Sequence, residues 1–412
     1  MTRAAPRICC LDLDTFFVSV ERLFDPSLVG KAVVVGGRPG QRGVVTAASY
    51  EVRALGVRSG MFLTRAYELA PRAVFLPVRH GEYSRLSGRV RKIAEGYSPV
   101  VQMASIDEMY IDFAGCERLY AAPDDADADA TVERTVRRLT AEIQSTLGLP
   151  SSAGIATSRP MAKVACGLAK PAGVRLVRAG CEADVLRPLS VRKYPGIGPV
   201  AERKLADLGI ETLGQLADAP AQRLRRIFGA FTCKVQLGAR GQGRSELGRE
   251  RPAFQEHDPA GELVGSISNE RTFREDVCDP ISIEAMLCSL CERVCWRARK
   301  RGIKARTVTL KLRYADFQTL SRSTTLSPTH SELELYPVVS GMFQRARRRR
   351  TPIRLLGLAL SNLGHYDEQL TLFADHEELH RTVDGIRERF GYDALRLALP
   401  RTNNKGSVRG PG

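Results

Sequence analysis

An α+β chain of several domains is what this sequence predicts, and three observations carry that reading. Short β-branched runs mix with helical patterns through residue 176; residues 177 to 240 turn helical; a second mixed unit follows from about 262 to 366. At 412 residues the chain has room for roughly two to four domains.

The elements follow in order. "RICCLDLDTFFVSVERL" begins as a buried strand and passes into a helix. "KAVVVGG" and "RGVVTAAS" are β-branched runs split by Gly, Pro and Arg, which reads as a hairpin. "VVQMASIDEMYIDF" is another strand pair. After the acidic turn "PDDADADA", Val132, Val136, Leu139, Ile143 and Leu147 recur at helical spacing. "SSAGIATS" is a strand and "RPMAKVACGLAK" the helix after it. In the helical stretch "YPGIGPVAERKLADLGI" is the informative piece. Residues 241–261, polar and punctuated by Gly and Pro, read as a linker. The last residues, "RTNNKGSVRGPG", have no periodicity and read as disordered. No internal repeat is present.

Lys and Arg number 62 against 46 Asp and Glu, a net charge of +16. That excess points to a polyanionic partner, nucleic acid ahead of membrane. No apolar run approaches the roughly 20 residues that span a bilayer, and charges come too early at the start for a signal peptide. Ten cysteines without secretory features imply reduced thiols and a cytoplasmic location. Cys288, Cys291 and Cys295 fall on one face of the helix "SIEAMLCSLCERVCWRARK". No fourth soft ligand lies nearby, so they read as core rather than as a metal cluster.

"SIDEMYIDF" (105–113) sets Asp107 beside Glu108 in apolar surroundings. Burying either one unpaired costs several kcal/mol, on that order, and a straight strand would send them to opposite faces. A divalent cation neutralises both, and oxygen ligands suit magnesium. The first strand ends in two more acids, Asp12 and Asp14. If Asp107 and Glu108 lie on the bend of a hairpin, both turn toward Asp12, and a two-metal phosphoryl-transfer site results. Standing alone, "SIDE" would read as a solvated hairpin tip.

It does not stand alone. "LDLDTFFVSVE", "AASYEVRALGVRSGM", "SIDEMYIDF" and "SAGIATSRPMAKVACGLAKPAG" occur in an order and at spacings that resemble the Y-family translesion DNA polymerases, and within them the bacterial DNA polymerase IV branch, over about residues 7 to 373. The resemblance implies a right hand: palm at 1–15 and 81–176, fingers at 16–80, a helical thumb at 177–240 with a helix-hairpin-helix, the linker, and a separate α/β little finger at 262–366. A clamp-binding motif at 367–374 and a helix-like segment with a tail at 375–412 complete it. The activity implied is template-directed, error-prone DNA synthesis on primer-template DNA from deoxynucleoside triphosphates, with two Mg2+ ions. No stretch remains for a proofreading exonuclease. The chain is expected to act as a monomer without membrane association.

By the same resemblance Asp12, Asp107 and Glu108 are the metal ligands, joined by the backbone carbonyl of Leu13. Asp14 is read as structural and turned away from Asp12, and Ser105 as a support for the turn or a nucleic-acid contact. Phe17, five residues after Asp12, is the steric gate that leaves no room for a 2′-hydroxyl; Phe16 is its core neighbour. Tyr50, Arg53 and Lys170 grip the triphosphate with a hydroxyl, a fork and a point charge. Val44, Thr46 and Gly60 form the roof over the nascent base pair, with Thr46 bulky for that role. Met109, Cys166 and Gly167 depart from the family pattern without touching a proposed ligand.

Gly196, Ile197 and Gly198 resemble a helix-hairpin-helix turn whose backbone N–H groups meet a DNA phosphate. Residues 297–313 carry eight Lys and Arg and no acid. There Val308, Leu310 and Leu312 alternate with Thr307, Thr309, Lys311 and Arg313, so one face packs on helices while Lys311 and Arg313 meet phosphates. "RARRRR" (345–350) adds a second basic patch. Gln369, Leu370, Leu372 and Phe373 resemble the extended peptide by which bacterial polymerases dock on the sliding clamp. A silent DNA-binding accessory would have lost the acids. A metal-dependent nuclease would leave Phe17, Tyr50 and Arg53 without a role.

Overall fold

Residues 6–243, 245–247, 265–366 and 377–396 are described by the structure, a computed structural model. The chain divides into two compact units, residues 1–250 and 251–412, and the division falls inside the stretch read as a linker. The clamp-like residues Gln369, Leu370, Leu372 and Phe373 lie outside the described residues.

The first unit opens with β1 (Ile8–Leu13) and α1 (Phe16–Phe24). β2 (Val33–Val35), β3 (Ala47–Ala48), α2 (Tyr50–Ala54), α3 (Leu63–Leu69) and β4 (Val74–Leu76) make a small subdomain. Then come α4 (His80–Glu95), β5 (Val101–Met103), β6 (Glu108–Asp112), α5 (Glu117–Tyr120), α6 (Ala128–Leu147), β7 (Ser151–Ala156), α7 (Arg159–Ala169) and β8 (Val174–Leu176). Five strands form one sheet in the order β5-β6-β1-β7-β8, with β1 antiparallel to both neighbours. The two runs read as a hairpin do pair antiparallel as β2 and β3, and β4 joins β2 in parallel.

Alternation along β1 sorts its side chains. Cys9, Leu11 and Leu13 enter the core that also holds α4 and α6 residues such as Tyr83, Val90, Val136 and Leu139. Ile8 and Cys10 face the other way, into a core shared with α7 and the helices that follow. α1, placed with the fingers from sequence, buries Phe16, Val18 and Val20 in the first of these cores. The β2–β4 subdomain keeps a small core of its own around Val34, Val45, Val52 and Leu63. α7 lies so close on β7 that a Cβ at Gly154 would stand 2.1 Å from the backbone nitrogen of Cys166. Only glycine admits that approach, which fixes the height of α7 over the sheet.

Residues 182–239 are helical: α8 (Glu182–Leu186), α9 (Pro199–Ala206), α10 (Leu213–Asp218), α11 (Ala221–Phe228) and α12 (Thr232–Ala239). They pack through Val191, Tyr194, Ile197, Leu205 and Leu216 onto the α7 side of the sheet.

The second unit holds β9 (Ile267–Val277), α13 (Pro280–Arg299), β10 (Lys304–Tyr314), β11 (Thr319–Thr329), α14 (Glu332–Ala346) and β12 (Ile353–Gly364). Its antiparallel sheet has the order β11-β10-β12-β9. α13 and α14 cover one face, where Leu287, Leu290, Val308, Leu310, Leu312, Val339 and Leu358 are buried. Cys288, Cys291 and Cys295 are buried on α13, and burial pushes the Cys288 thiol up to about 12. A final helix, α15 (Glu377–Phe390), docks by charge more than by apolar contact. Arg387, 2 % exposed, reaches Glu292 at 3.3 Å and Glu332 at 3.8 Å, while Asp384 of the same helix pairs with Arg299 at 2.7 Å. No helix among the described residues is long and apolar enough to cross a membrane.

Candidate active site

The register of the central strands brings the acids together. Asp12 on β1 pairs directly with Glu108 on β6, and residues opposed in an antiparallel ladder share a face. That face is the one turned to α7. Asp107 sits on the bend just before β6, its carbonyl accepting from Leu13 N–H at 2.9 Å. The bend answers the question of the paired acids: Asp107 escapes strand alternation and stays half-exposed, while Glu108, 8 % exposed, takes the sheet face. Ser105 supports the turn, its hydroxyl donating to Asp107.

Two lysines neutralise the buried pair. Lys163 on α7 hydrogen-bonds Glu108, and Lys170, just past the end of α7, hydrogen-bonds Asp12. Burial works to lower both ammoniums, yet the carboxylates outweigh it and both stand above the ordinary lysine range. Burial also raises the Asp12 carboxyl; Lys170 opposes that rise, and Asp107 and Glu108 add to it. Among the described residues no three His, Cys, Asp or Glu side chains stand as a ready-made metal cage. The donor set is nonetheless of the right kind: carboxylate oxygens near enough that Asp107 and Glu108 act on Asp12, with Asp12 and Glu108 each already drawing a lysine.

Asp14 is not turned away from this group as the sequence suggested. Strand pairing stops at Leu13, and Thr15 adopts a left-handed φ of 45° that swings the chain into α1. Asp14 is then 1 % exposed. It accepts from Ser152 Oγ at 2.7 Å, Ala172 N–H at 2.8 Å and Tyr50 Oη at 3.2 Å, with Lys170 Nζ at 3.6 Å. It ties Tyr50 and the 170–172 turn to the sheet.

A pocket of about 250 Å3 opens here, lined by Asp12, Leu13, Phe17, Thr46, Arg53, Asp107 and Lys170 among others. Arg53 is aimed by a 2.9 Å bond from Nε to the Ala48 carbonyl and lies 5.5 Å from the centre of the Tyr50 ring. Val45 is buried and alternation leaves Val44 and Thr46 exposed on either side of it. Gly60 N–H donates to the Val45 carbonyl at 2.8 Å, so Gly60 closes on the same segment. Phe16 and Phe17 both border the pocket, but Phe16 is 3 % exposed with its side chain in the core, whereas Phe17 is only partly buried. Phe17 stacks on Tyr83 with centroids 4.0 Å apart and planes 16° apart. Tyr83 in turn donates to Glu21 at 2.6 Å, and Arg79 holds the same carboxylate.

A second opening, of about 520 Å3, runs from Asp12, Lys163 and Lys170 to residues 192–197. Cys166 and Gly167 line it as well, with Cys166 Sγ donating to the Ser152 carbonyl at 3.3 Å. Gly196 takes a φ of 94° and Gly198 caps α9. Ile197 differs from the other two: its side chain is buried and its N–H donates to the Tyr194 carbonyl at 3.1 Å. It anchors the turn and offers no free donor there. In the second unit Lys311 and Arg313 stand on the sheet face opposite the helices, where Lys311 pairs with Glu270 and Arg313 donates to Thr319 Oγ1 at 2.8 Å.

Lys163 and the Tyr83–Glu21–Arg79 support went unread in the sequence. Helical spacing offered a signal for the first, since Lys163 lies seven residues before Lys170. The second joins residues 58 and 62 positions apart, and no local pattern reports it.

Residues 11–167 match the impB/mucB/samB family, residues 180–210 the IMS family HHH motif, and residues 264–372 the impB/mucB/samB family C-terminal domain. DNA polymerase IV of Dehalococcoides mccartyi is 36% identical over 397 residues, covering 94% of this chain and 96% of that one. DNA polymerase IV of Desulfatibacillum aliphaticivorans is 37% identical over 391 residues, covering 92% and 93%. Among solved structures, a Y-family DNA polymerase chimera superposes with a TM-score of 0.73 at 24% identity, over 86% of this chain and 98% of that one. The insertion ternary complex of Dbh DNA polymerase gives 0.60 over the same shares. With the order of motifs, the α+β right-hand fold and the separate C-terminal sheet domain all agreeing, this chain belongs to the Y family of DNA polymerases, alongside the bacterial DNA polymerase IV proteins.

Proposed function

We propose that this chain extends a primer 3′-hydroxyl on a DNA template, including templates with damaged bases, and does so without proofreading. The observation that carries this reading is the cross-strand pairing of Asp12 with Glu108, with Asp107 on the adjoining bend. Asp12, Asp107, Glu108 and the Leu13 carbonyl would hold two Mg2+ ions. When bound, such ions lower the pKa of the 3′-hydroxyl and neutralise the triphosphate and the departing pyrophosphate.

The chain's own side chains do the rest. Lys163 holds Glu108 in place, and Asp14 holds Tyr50. Lys170 leaves Asp12 to meet the incoming triphosphate, joined by Arg53, which lines the pocket, and by Tyr50 beside it. Phe17 lies under the sugar and excludes a 2′-hydroxyl by contact. Val44, Thr46 and Gly60 cover the nascent pair. Gly196 and Gly198 offer backbone N–H groups to a primer-template phosphate, with Ile197 as their anchor. Lys311 and Arg313 track the duplex. The segment with Gln369, Leu370, Leu372 and Phe373 docks on the sliding clamp. A labelled primer-template incubated with deoxynucleotides and Mg2+ tests the reading: growth supports it, whereas shortening or no change contradicts it.

A further inference from the structure

We propose that Glu270 is a built-in brake on the duplex-facing sheet of the second unit, pairing with the Lys311 ammonium so that its charge is offset and the grip on DNA stays weak. The inference rests on the reading that this sheet face meets DNA phosphates.

Both carboxylate oxygens of Glu270 lie on Lys311 Nζ, at 2.8 and 2.9 Å. The two residues are not on adjacent strands. Lys311 on β10 pairs with Gly357 on β12, and Gly357 pairs with Glu270 on β9. The Glu270 side chain therefore reaches across a whole strand. Glycine at 357 permits this: a Cβ there would stand 2.6 Å from Glu270 Cγ. The crossing is thus written into two positions of the sequence far apart in the chain.

The surroundings make this one carboxylate count. Across the four cross-strand rows from Thr307 to Arg313, the paired positions on the open face are Thr, Ser, Ala, Gly or Leu, apart from Lys311, Arg313 and Glu270. Glu270 thus cancels one of the two cations in those rows. A Lys–carboxylate pair brings no net charge to a phosphate, so the counterion release that drives duplex binding loses about one contact. The pair is also partly solvated, with side chains 31% and 41% exposed. A pair so exposed is weak enough to open. Lys311 can exchange Glu270 for a phosphate as DNA slides past, which suits an enzyme that must release its template readily.

The test measures binding of a fluorescein-labelled primer-template by anisotropy over a series of salt concentrations, with E270Q, G357A and K311Q compared to the unaltered chain. Melting curves first establish that each variant is folded. E270Q keeps the side-chain shape and frees Lys311. It should tighten binding about three- to tenfold and steepen the slope of log affinity against log salt by about 0.9. G357A keeps the carboxylate but pushes it off Lys311, so it should tighten binding by less and in the same direction. K311Q should weaken binding, and E270Q added to K311Q should no longer steepen the slope. If K311Q weakens binding while E270Q leaves affinity and slope unchanged, Glu270 is no brake although the face still binds DNA. If K311Q itself changes nothing, the face is not a duplex track and the inference falls with that reading.

Discussion

Replacing Phe17 with Ala removes the ring that lines the pocket next to Asp12 and stacks on Tyr83. If the ring excludes a ribonucleotide by contact, forcing the extra hydroxyl against it costs what overpacking a filled site costs, about 1–3 kcal/mol. Deleting the ring should then reduce the preference for deoxy- over ribonucleotides roughly five- to 150-fold. The ring's support predicts a graded series. Tyr83→Leu removes a stack of the kind worth about 0.5–1.5 kcal/mol and leaves Phe17 free to tilt, so preference should fall up to about tenfold. Tyr83→Phe keeps the stack and takes away only the donor to Glu21. It should preserve sugar selection while lowering stability by about 1–3 kcal/mol, because the Glu21 carboxylate, 2 % exposed, loses a partner. Single-nucleotide insertion kinetics with paired deoxy- and ribonucleotides give kcat/KM ratios, and urea unfolding gives stability. Unchanged discrimination in Phe17→Ala would refute the gate. Loss of selection in Tyr83→Phe equal to that in Tyr83→Leu would refute the stacking argument.

Three further outcomes are expected. Arg387→Met should take one buried cation from Glu292 and Glu332, Arg299 still holding Glu332, at a cost of about 1–3 kcal/mol, and should raise hydrogen exchange across residues 377–390. His380 is held below its ordinary range by burial and by Arg299, with Glu332 opposing. The unfolded chain therefore takes up the proton first, so the second unit should be fully stable above about pH 6.5 and lose stability as pH falls below it, a loss that His380→Asn flattens in melting curves. Changing Leu372 and Phe373 to Ala should sharply reduce clamp-stimulated synthesis and leave clamp-free synthesis alone; equal stimulation of both proteins would refute docking.

Local patterns carried much of the fold. The strand that ends in Asp12, the hairpin through Asp107 and Glu108, and the amphipathic helix 128–147 all show their period in the sequence. β10 shows its alternation equally well, with Leu310 and Leu312 buried between Lys311 and Arg313. What stayed hidden depends on pairing across distance. Asp14 was misplaced because it was set on the face opposite Asp12, whereas a period of two already puts residues 12 and 14 together, and the left-handed turn at Thr15 keeps Asp14 within reach of the same Lys170. Ile197 looked like a donor because the Gly-Ile-Gly turn does not say which N–H closes the turn on Tyr194. The ionic docking of α15 joins Arg387 to Glu292, 95 positions away, through a contact that has no periodic signature.

The central claim is that Asp12, Asp107 and Glu108 act together on a primer end. Its most direct measurement is primer extension by Glu108→Gln and Asp107→Asn, with duplex binding followed in parallel by anisotropy. Amides keep the size of the side chains and remove the charge that would hold the metal ions. The account predicts that nucleotide addition falls on the order of 10²–10³-fold or more while duplex affinity stays within about twofold. Near-normal extension by either variant would contradict it.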